Sequence, residues 1–418
     1  NLQTKPDNEV IISIEEAEKI PVEPYIEQTS TLKLMDNIIP PGELLSESYN
    51  PEVDVHEWIF SNGVKVWLKH TEYEENLIRW SAWSSGGHSL IEELDLHSAT
   101  CLTSMMALSN VGPHTTDDIN RLMNGVPGSF RFRFTENAQQ LIGQCAREGL
   151  LPTLKLLWLR SQQSSFTEPM LQKVQKMLYT RLSNDDADPE TQYLRRRNAE
   201  LYDDHFRKRM IRSEDVEGLS LEALQRSYET LVKPVADMHF AFVGRFDWDE
   251  MRSALAQTLG TLPTASPREY RERQVNLVLD QQDHIFTLQD EPKAEIDLTF
   301  VQRVEWTDLQ KRTVQVAVRI LNERLRKSLR EEEAGTYTVS AYWMSHKYNG
   351  NTKFVINFGC NPSRVDELRT KALAVVQEYV DNGASEMEFA IEMNKQSRAL
   401  EKSWRKNDFW LSVLKESI

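Results

Sequence analysis

The stretch that decides the fold is Glu57-Trp-Ile-Phe-Ser-Asn-Gly-Val-Lys-Val-Trp-Leu-Lys-His70. Two β-prone runs flank Asn62-Gly63, a dipeptide that favours a type I′ turn because both residues tolerate positive φ. The sequence therefore predicts a β-hairpin. Two further runs, Leu77 to Trp83 and Phe130 to Phe134, alternate in polarity and predict half-buried strands.

Helical spacing and strand patterns continue along the chain in an order that repeats. The first set predicts helices over 91–112, 137–182, 220–232 and 247–260, with a strand over 238–244. The second set predicts strands over 285–288, 295–301, 337–348 and 353–358, and helices over 306–331, 363–381 and from about 385. This repetition indicates an α+β fold of two homologous units, each a largely antiparallel sheet with helices packed on one face.

The predicted domain boundaries follow from this repeat and from composition. We expect an acidic, Pro-rich linker or strap over 1–54, a first unit over 55–263, a linker over 264–279 and a second unit over 280–418. The second unit lacks a counterpart of the 238–263 ending, so we expect it to be truncated at its C-terminus. The chain is accordingly expected to be a piece of a longer protein.

The charge distribution excludes several classes of protein. The 418 residues include 64 acidic and 49 basic side chains, a net charge of −15. Residues 1–57 hold 13 of the acids and three lysines, a net of −10, which leaves −5 for the remainder. No basic field is available to attract nucleic acid. No apolar run approaches the roughly 18 residues that a membrane span requires, so none is predicted.

Motifs for metal or nucleophilic chemistry are missing from the sequence. No two of the nine histidines stand at i, i+4, and His-x-x-Glu-His does not occur in either direction. The three cysteines form no Cys-x-x-Cys pair. There is no nucleophile elbow, phosphate loop or dinucleotide fingerprint. His97, near a helix start, is interpreted as a surface or capping residue, and we expect no catalytic residue and no metal site in this chain.

One candidate segment runs from Arg324 through Leu-Arg-Lys-Ser-Leu-Arg330-Glu-Glu-Glu-Ala-Gly-Thr to Tyr337. Arg330 and Tyr337 can converge if the intervening turn folds back, and together they would supply donors for a carbonyl or a developing oxyanion. The alternative interpretation is a helix C-terminus neutralised by cations, followed by an ordinary strand tyrosine.

The layout from Gly87 onward resembles the pitrilysin/insulinase family of inverzincin zinc peptidases. An active half of that family reads Ala-His-x-Leu-Glu-His-Met where this sequence reads Ala99-Thr-Cys-Leu-Thr-Ser-Met105. Thr100, Thr103 and Ser104 stand at the positions of the first zinc histidine, the catalytic glutamate and the second zinc histidine. The packing positions match and the chemical positions do not, which is the pattern of the family's non-catalytic half.

Two other segments carry the same resemblance. Phe242-Val-Gly-Arg-Phe-Asp247, with the later Leu259-Gly-Thr-Leu-Pro263, looks like the ending of a family unit. The 325–340 segment is similar to the family's substrate-facing Arg and Tyr segment, so the resemblance assigns substrate binding to Arg330 and Tyr337. The sequence departs from the family pattern over 333–336, between these two residues.

The resemblance implies the zinc-free C-terminal half of a bacterial zinc metallopeptidase. It implies Zn²⁺ in the catalytic half of the same protein, and unfolded peptides as substrates bound between the halves. Periplasm is the expected compartment, with cytoplasm as the alternative.

Two other functions stay open on the sequence. One is a structural or scaffold subunit of the same fold. The other is a peptide-binding module that accepts an extended peptide along the edge of the strand at 337–345 or of the strand at 77–83.

Overall fold

The computed structural model describes residues 33–36, 40–288, 292–332, 336 and 338–416. In these residues, helices accompany a seven-stranded sheet, a three-stranded sheet and a two-stranded pair. The strands in this described part are β1 (Leu44–Asn50), β2 (Val55–Phe60), β3 (Lys65–His70), β4 (Ile78–Ser85), β5 (Asn110–Val111), β6 (Gly128–Phe134), β7 (Ala138–Cys145), β8 (Ser164–Ser165), β9 (His239–Gly244), β10 (Ala294–Arg303), β11 (Val339–Ser345) and β12 (Asn351–Cys360).

The predicted hairpin is β2–β3, and it belongs to a seven-stranded sheet of order β1-β2-β3-β9-β4-β7-β6. Every pair in this sheet is antiparallel except β3–β9, which is parallel. The predicted type I′ turn is wrong, because Gly63 has a positive φ of 88° and Asn62 does not. The Asn62 side chain instead accepts from the Val64 N–H at 3.2 Å, which closes the turn.

Helices surround the sheets. In the described residues they are α1 (Leu96–Thr100), α2 (Leu102–Leu108), α3 (Thr116–Leu122), α4 (Leu150–Gln163), α5 (Glu168–Ala187), α6 (Pro189–Leu201), α7 (Leu221–Leu231), α8 (Trp248–Gln257), α9 (Asp308–Leu325), α10 (Val365–Asn382), α11 (Glu386–Ser403) and α12 (Asn407–Glu416). A π-helical segment, Arg326–Glu332, continues α9.

The seven-stranded sheet is apolar on both faces. On β9, Phe240 and Phe242 join the main core under the helices, whereas Ala241 and Val243 point to the opposite face. Successive side chains of a strand alternate between faces, so an uninterrupted apolar strand needs cover on both sides. That second cover is α12, whose Leu414 packs into the cluster with Ala241 and Val243. The expectation of helices on one face therefore holds for the main core, and α12 adds a helix on the other.

The second sheet is smaller, with the antiparallel order β10-β12-β11. This order matches β4-β7-β6 of the first sheet, where a strand, a helical segment and a hairpin also follow one another in sequence. The α+β class with mostly antiparallel sheets is thus confirmed. The division at 54, 263 and 279 stays a prediction, and within the predicted 1–54 linker, residues 44–50 form β1 and pair with β2.

Three sequence predictions are wrong in detail. The predicted helix over 137–182 begins instead as β7, because Ala138–Cys145 pairs with both β4 and β6, and this long-range pairing overrides local helical spacing. The predicted strand over 285–288 is absent from the described residues. The predicted helix over 91–112 is interrupted at Cys101 between α1 and α2.

Candidate functional site

In the segment aligned with the zinc motif, the apolar positions and the positions of the zinc ligands differ in burial. The matching apolar positions are at most 1% exposed: Ala99, Leu102 and Met105. At the three chemical positions, Thr100 and Thr103 are exposed and Ser104 is half-buried. The sequence thus keeps the contacts that seat this segment against the core, while threonine and serine occupy the surface where metal ligands would stand.

The helix itself is broken inside this segment. The Cys101 N–H bonds to the Ser98 carbonyl at 3.0 Å, one residue short of α-helical spacing, and α2 starts at Leu102. Thr100 Oγ1 donates to the His97 carbonyl at 2.7 Å, which ties the end of α1 to its own backbone. Two side chains at i, i+4 share a helix face only on a continuous helix. Residues 100 and 104 therefore lie on different helical segments.

No group of three or more His, Cys, Asp or Glu side chains suited to a metal ion occurs among the described residues. His97 stands 3.7 Å from Asp215 (Nδ1 to Oδ1) and packs against the Phe206 ring. A single imidazole beside a single carboxylate falls short of the three or four protein ligands that a zinc site uses.

A cavity of about 510 Å³ opens beside α1, and Thr100 and His97 are part of its wall. Five arginines also line it: Arg181, Arg195, Arg207, Arg209 and Arg273. His88 lines it as well, and burial, reinforced by the nearby Arg207 charge, lowers the pKa of His88 to about 4. This arginine-rich wall was missed from the sequence, because its residues are spread from 181 to 273 and share no motif.

The second predicted site lies on the π-helical segment after α9. Leu325 and Leu329 are fully buried, and Arg330 is exposed at the segment's end. Single π-helical turns occur frequently at functional sites. Tyr337 lies outside the described residues, so the predicted convergence of Arg330 and Tyr337 stays a prediction.

A neighbouring arginine that the sequence analysis did not single out anchors this segment. Arg324 forms a bidentate pair with Glu388, at 2.7 Å for both contacts, and also pairs with Glu378 at 2.7 Å. The pair with Arg324, together with hydrogen bonds from Ser385, lowers the pKa of Glu388 to about 2. Ser385-x-x-Glu388 is a capping box at the start of α11, which was readable in the sequence. These contacts hold α9, α10 and α11 together below the Arg330 segment.

Comparison with known proteins places this geometry in a family. Residues 218–395 match the family described as "Peptidase M16 inactive domain". This part of the chain resembles the inactive domain of the M16 peptidases. The resemblance to the non-catalytic half of a zinc peptidase family is thereby confirmed.

Individual M16 relatives agree with this assignment. The "Probable zinc protease PqqL" of Haemophilus influenzae is 22% identical over 348 residues, which cover 82% of this chain and 37% of the relative. The crystal structure of the periplasmic protease PqqL from Escherichia coli superposes with a TM-score of 0.83 at 18% identity, covering 99% of this chain and 46% of that chain. An M16 inactive domain from Pseudomonas fluorescens gives a TM-score of 0.69 at 17% identity, covering 86% of both chains.

The coverage figures describe how much of its relatives' length this chain spans. It spans less than half the length of the PqqL proteins that it matches. Across the described residues, no helix combines the length and apolar character needed to cross a bilayer.

Proposed function

We propose that this chain is the zinc-free half of a two-half zinc metallopeptidase and that it closes a chamber over a peptide substrate. The observation that carries the proposal is the Ala99–Met105 segment, which keeps its three core contacts and has lost all three chemical positions. Its PqqL relatives are named as zinc proteases and are more than twice as long as the matched region. A chain of this kind would need a catalytic half as its partner.

In the proposed division of labour, the catalytic half holds Zn²⁺ through two histidines and a glutamate. A metal bound there would supply Lewis-acid chemistry and an activated water, and a second glutamate of that half would act as general base. This chain supplies no ligand to that site. Its contribution is to bind and orient the peptide.

Arg330 and Tyr337 are the residues proposed for that binding. An exposed guanidinium on a buttressed π-helical segment can donate to a peptide carbonyl without leaving a core contact. Tyr337, which lies outside the described residues, would add a hydroxyl donor. Together they would hold the region of the scissile bond and stabilise the oxyanion of the tetrahedral intermediate.

The second sheet favours an additional mode of peptide binding. β11 is an outer strand, and its far edge pairs with no other described strand. An extended peptide can add to such an edge through main-chain hydrogen bonds. The alternative edge considered from the sequence, 77–83, is wrong, because β4 lies between β9 and β7 inside the first sheet.

The proposed compartment is the periplasm, with cytoplasm as the alternative. The support is that the matching Escherichia coli PqqL is described as a periplasmic protease. Unfolded peptides remain the proposed substrate class.

Two measurements test the proposal. The purified chain alone, supplied with Zn²⁺, should not hydrolyse a quenched fluorescent peptide, and zinc-dependent cleavage by it would contradict the proposal. In the two-half protein, Arg330→Ala should lower kcat/KM by roughly 10²–10³ if its donor acts on the transition state. The matched control is Lys327→Ala, which removes an exposed cation from the same π-helical segment. Unchanged hydrolysis in Arg330→Ala would favour a scaffold subunit instead.

A further inference from the structure

The cavity beside α1 is large enough for more than a single ion. Its volume of about 510 Å³ lies within the range of roughly 300–1,000 Å³ typical of ligand pockets. Its walls come from α1, α5, α6, the turn at Gly87–Leu90 and the loop at 207–211. All of these elements belong to this chain, so the cavity does not depend on a zinc-bearing half.

The arginines of the wall differ in how they are neutralised. Three of the five are paired with carboxylates that do not line the cavity: Arg195 with Asp186 at 2.5 Å, Arg209 with Asp204 at 2.6 Å, and Arg273 with Glu92 at 3.1 Å. The other two, Arg181 and Arg207, have no carboxylate within 4.0 Å among the described residues. These two guanidinium groups form no direct ion pair, although Glu92, Glu93 and Glu136 act on the charge of Arg207 from a greater distance.

Arg207 is held in place by neutral groups. Its Nη1 donates to the His88 carbonyl at 3.1 Å and its Nη2 to the Ile91 carbonyl at 2.5 Å. Burial lowers the pKa of Arg207, and repulsion from Arg273 lowers it further. A half-buried guanidinium that is fixed by carbonyls and repelled by a second arginine is stabilised by an incoming negative charge.

Arg181 is exposed at the mouth of the cavity on α5 and makes no hydrogen bond or ion pair with the other described residues. One turn later on the same helix stands Asp185, which also lines the cavity and has no cation within 4.0 Å in the described part. The other acid of the wall, Glu136, is paired with Lys208. Asp185 is therefore the group that an incoming anion would meet as a repulsive charge.

We infer that this cavity binds an oxyanion group, a carboxylate or a phosphate, carried on a ligand larger than a single ion. Arg207 supplies a guanidinium fixed by two carbonyls, and Arg181 supplies an exposed one. An arginine fork matches the planar geometry of a carboxylate and the paired oxygens of a phosphate. A carboxylate would come from an acidic peptide and a phosphate from a free phosphorylated molecule, and binding measurements can distinguish these sources.

The test is isothermal titration calorimetry on the full 418-residue chain at low salt. The probes are inorganic phosphate, an acetylated and amidated triglutamate peptide, and the same peptide with glutamine. Binding of triglutamate but not triglutamine identifies a peptide carboxylate, and binding of phosphate alone identifies the phosphorylated source. Equal binding of triglutamate and triglutamine, or binding of no probe, would overturn the inference.

Two variants of α5 should shift affinity in opposite directions. Arg181→Gln should weaken binding of the successful probe by roughly tenfold, since a hydrogen bond to a charged group is lost. Asp185→Asn should tighten it by several-fold, because a repulsive charge is removed. Arg181 is exposed and Asp185 half-buried, and neither side chain forms a hydrogen bond or ion pair with the described residues, so their thermal midpoints should stay close to that of the unmodified chain.

Controls separate the cavity from general surface charge. Arg226→Gln removes an exposed arginine that pairs with Asp95 outside the cavity, and it should leave affinity within twofold. Arg207→Gln should abolish binding, and circular dichroism would show whether the loss of its two carbonyl bonds also affects folding. If Arg181→Gln, Asp185→Asn and Arg226→Gln all bind the probe equally, the anion is held elsewhere and the inference fails.

Discussion

The seven-stranded sheet and the three-stranded sheet of this chain, called the first and the second sheet, bury their surfaces in different ways. The first has seven strands and is covered on both faces, by the main core on one side and by α12 on the other. The second has three strands and one core, formed with α9, the π-helical segment and α10. Burial of apolar area is the main source of stability, so the first sheet is expected to be the more stable region.

The same contrast appears in the two segments that bear on function. In the first region, Ala99, Leu102 and Met105 are packed in the core, while threonine and serine stand where the resemblance places zinc ligands. In the second, Arg330 keeps an exposed guanidinium on an irregular helix, held from beneath by Leu325 and Leu329. The difference teaches that the first region has the more extensive core, whereas the second carries Arg330, the described residue proposed to meet a peptide.

The largest expected effect is on the first core. Trp80 is fully buried on β4 and stacks on Phe242 with ring centroids 5.7 Å apart. Trp80→Ala should lower the free energy of unfolding by about 3–5 kcal/mol, because the strands and helices on all sides prevent the cavity from collapsing. Urea unfolding would measure the loss of stability, and hydrogen exchange would show whether it is located in the first sheet.

The matched variant in the second sheet is Phe358→Ala. Phe358 is also fully buried, but its cluster is smaller and its sheet has two outer strands. We expect a loss of about 3 kcal/mol, at the lower end of the range for this substitution. Increased exchange should be confined to β10–β12, and equal exposure of both sheets in either variant would contradict the contrast.

The next expected effect is a pH dependence of the free energy of unfolding, which arises in the region of the first sheet. Burial lowers the pKa of His88 to about 4, against about 6.5 in an unfolded chain. Between these values the unfolded chain binds the proton and the folded chain does not. Stability is therefore full above pH 6.5, falls as the pH drops towards 4, and levels off below 4, with a total change of about 3–4 kcal/mol.

His88→Gln should flatten that pH profile between 6.5 and 4. The measurement is the free energy of unfolding across this interval. His284→Gln, which removes an exposed imidazole, is the control and should retain the slope. A slope that survives in His88→Gln would assign it to other groups.

A smaller effect is expected where the two regions meet. Asp297 on β10 is almost fully buried and accepts from Tyr193 at 2.5 Å and from Arg197 at 2.9 Å, both on α6. Burial and the bond to Asp297 raise the pKa of Tyr193. Asp297→Asn keeps the shape and removes the charge, and should cost about 1.5–3 kcal/mol, since Arg197 is then partly buried without a carboxylate.

The Asp297→Asn variant should also differ from the two core variants in its pattern of hydrogen exchange. Hydrogen exchange should increase along α6 and β10, while β4 and β9 in the first core stay protected. Asp308→Asn removes an exposed carboxylate from the start of α9 and should change stability by less than about 0.5 kcal/mol. Uniform loss of protection in Asp297→Asn would show that the two regions unfold as one.

Much of the fold could be predicted because local patterns and long-range packing agree. The strand at Phe130–Phe134 and the helix at 221–231 follow their periodicity, and the Gly244 that ends β9 has a φ of 149°. The strand at Ala138–Cys145 was missed, because its place between β4 and β6 is decided by residues distant in sequence. The position of α12 on the far face of the first sheet has the same origin.

The candidate site was predicted only in part, for a related reason. The proposal that 100, 103 and 104 are former metal positions comes from the sequence alone, since a motif is contiguous in sequence. The cavity wall is assembled from side chains as far apart as His88 and Arg273, and only the fold brings them together. The helix break at Cys101 is marked by a backbone hydrogen bond to Ser98, and no residue pattern in the sequence predicts this bond.

The smallest expected effect is the restoration of the motif itself. Grafting Thr100→His, Thr103→Glu and Ser104→His rebuilds the inverzincin spacing in the first region. We expect no measurable peptide hydrolysis and no zinc affinity beyond that of an isolated histidine pair, because residues 100 and 104 lie on separate helical segments and no third ligand is present in the described residues. Zinc titration with a competing chelator measures this directly. Tight zinc binding would show that the helix becomes continuous when a metal is present. The absence of a metal site would then be explained by the three side chains and not by the helix break at Cys101.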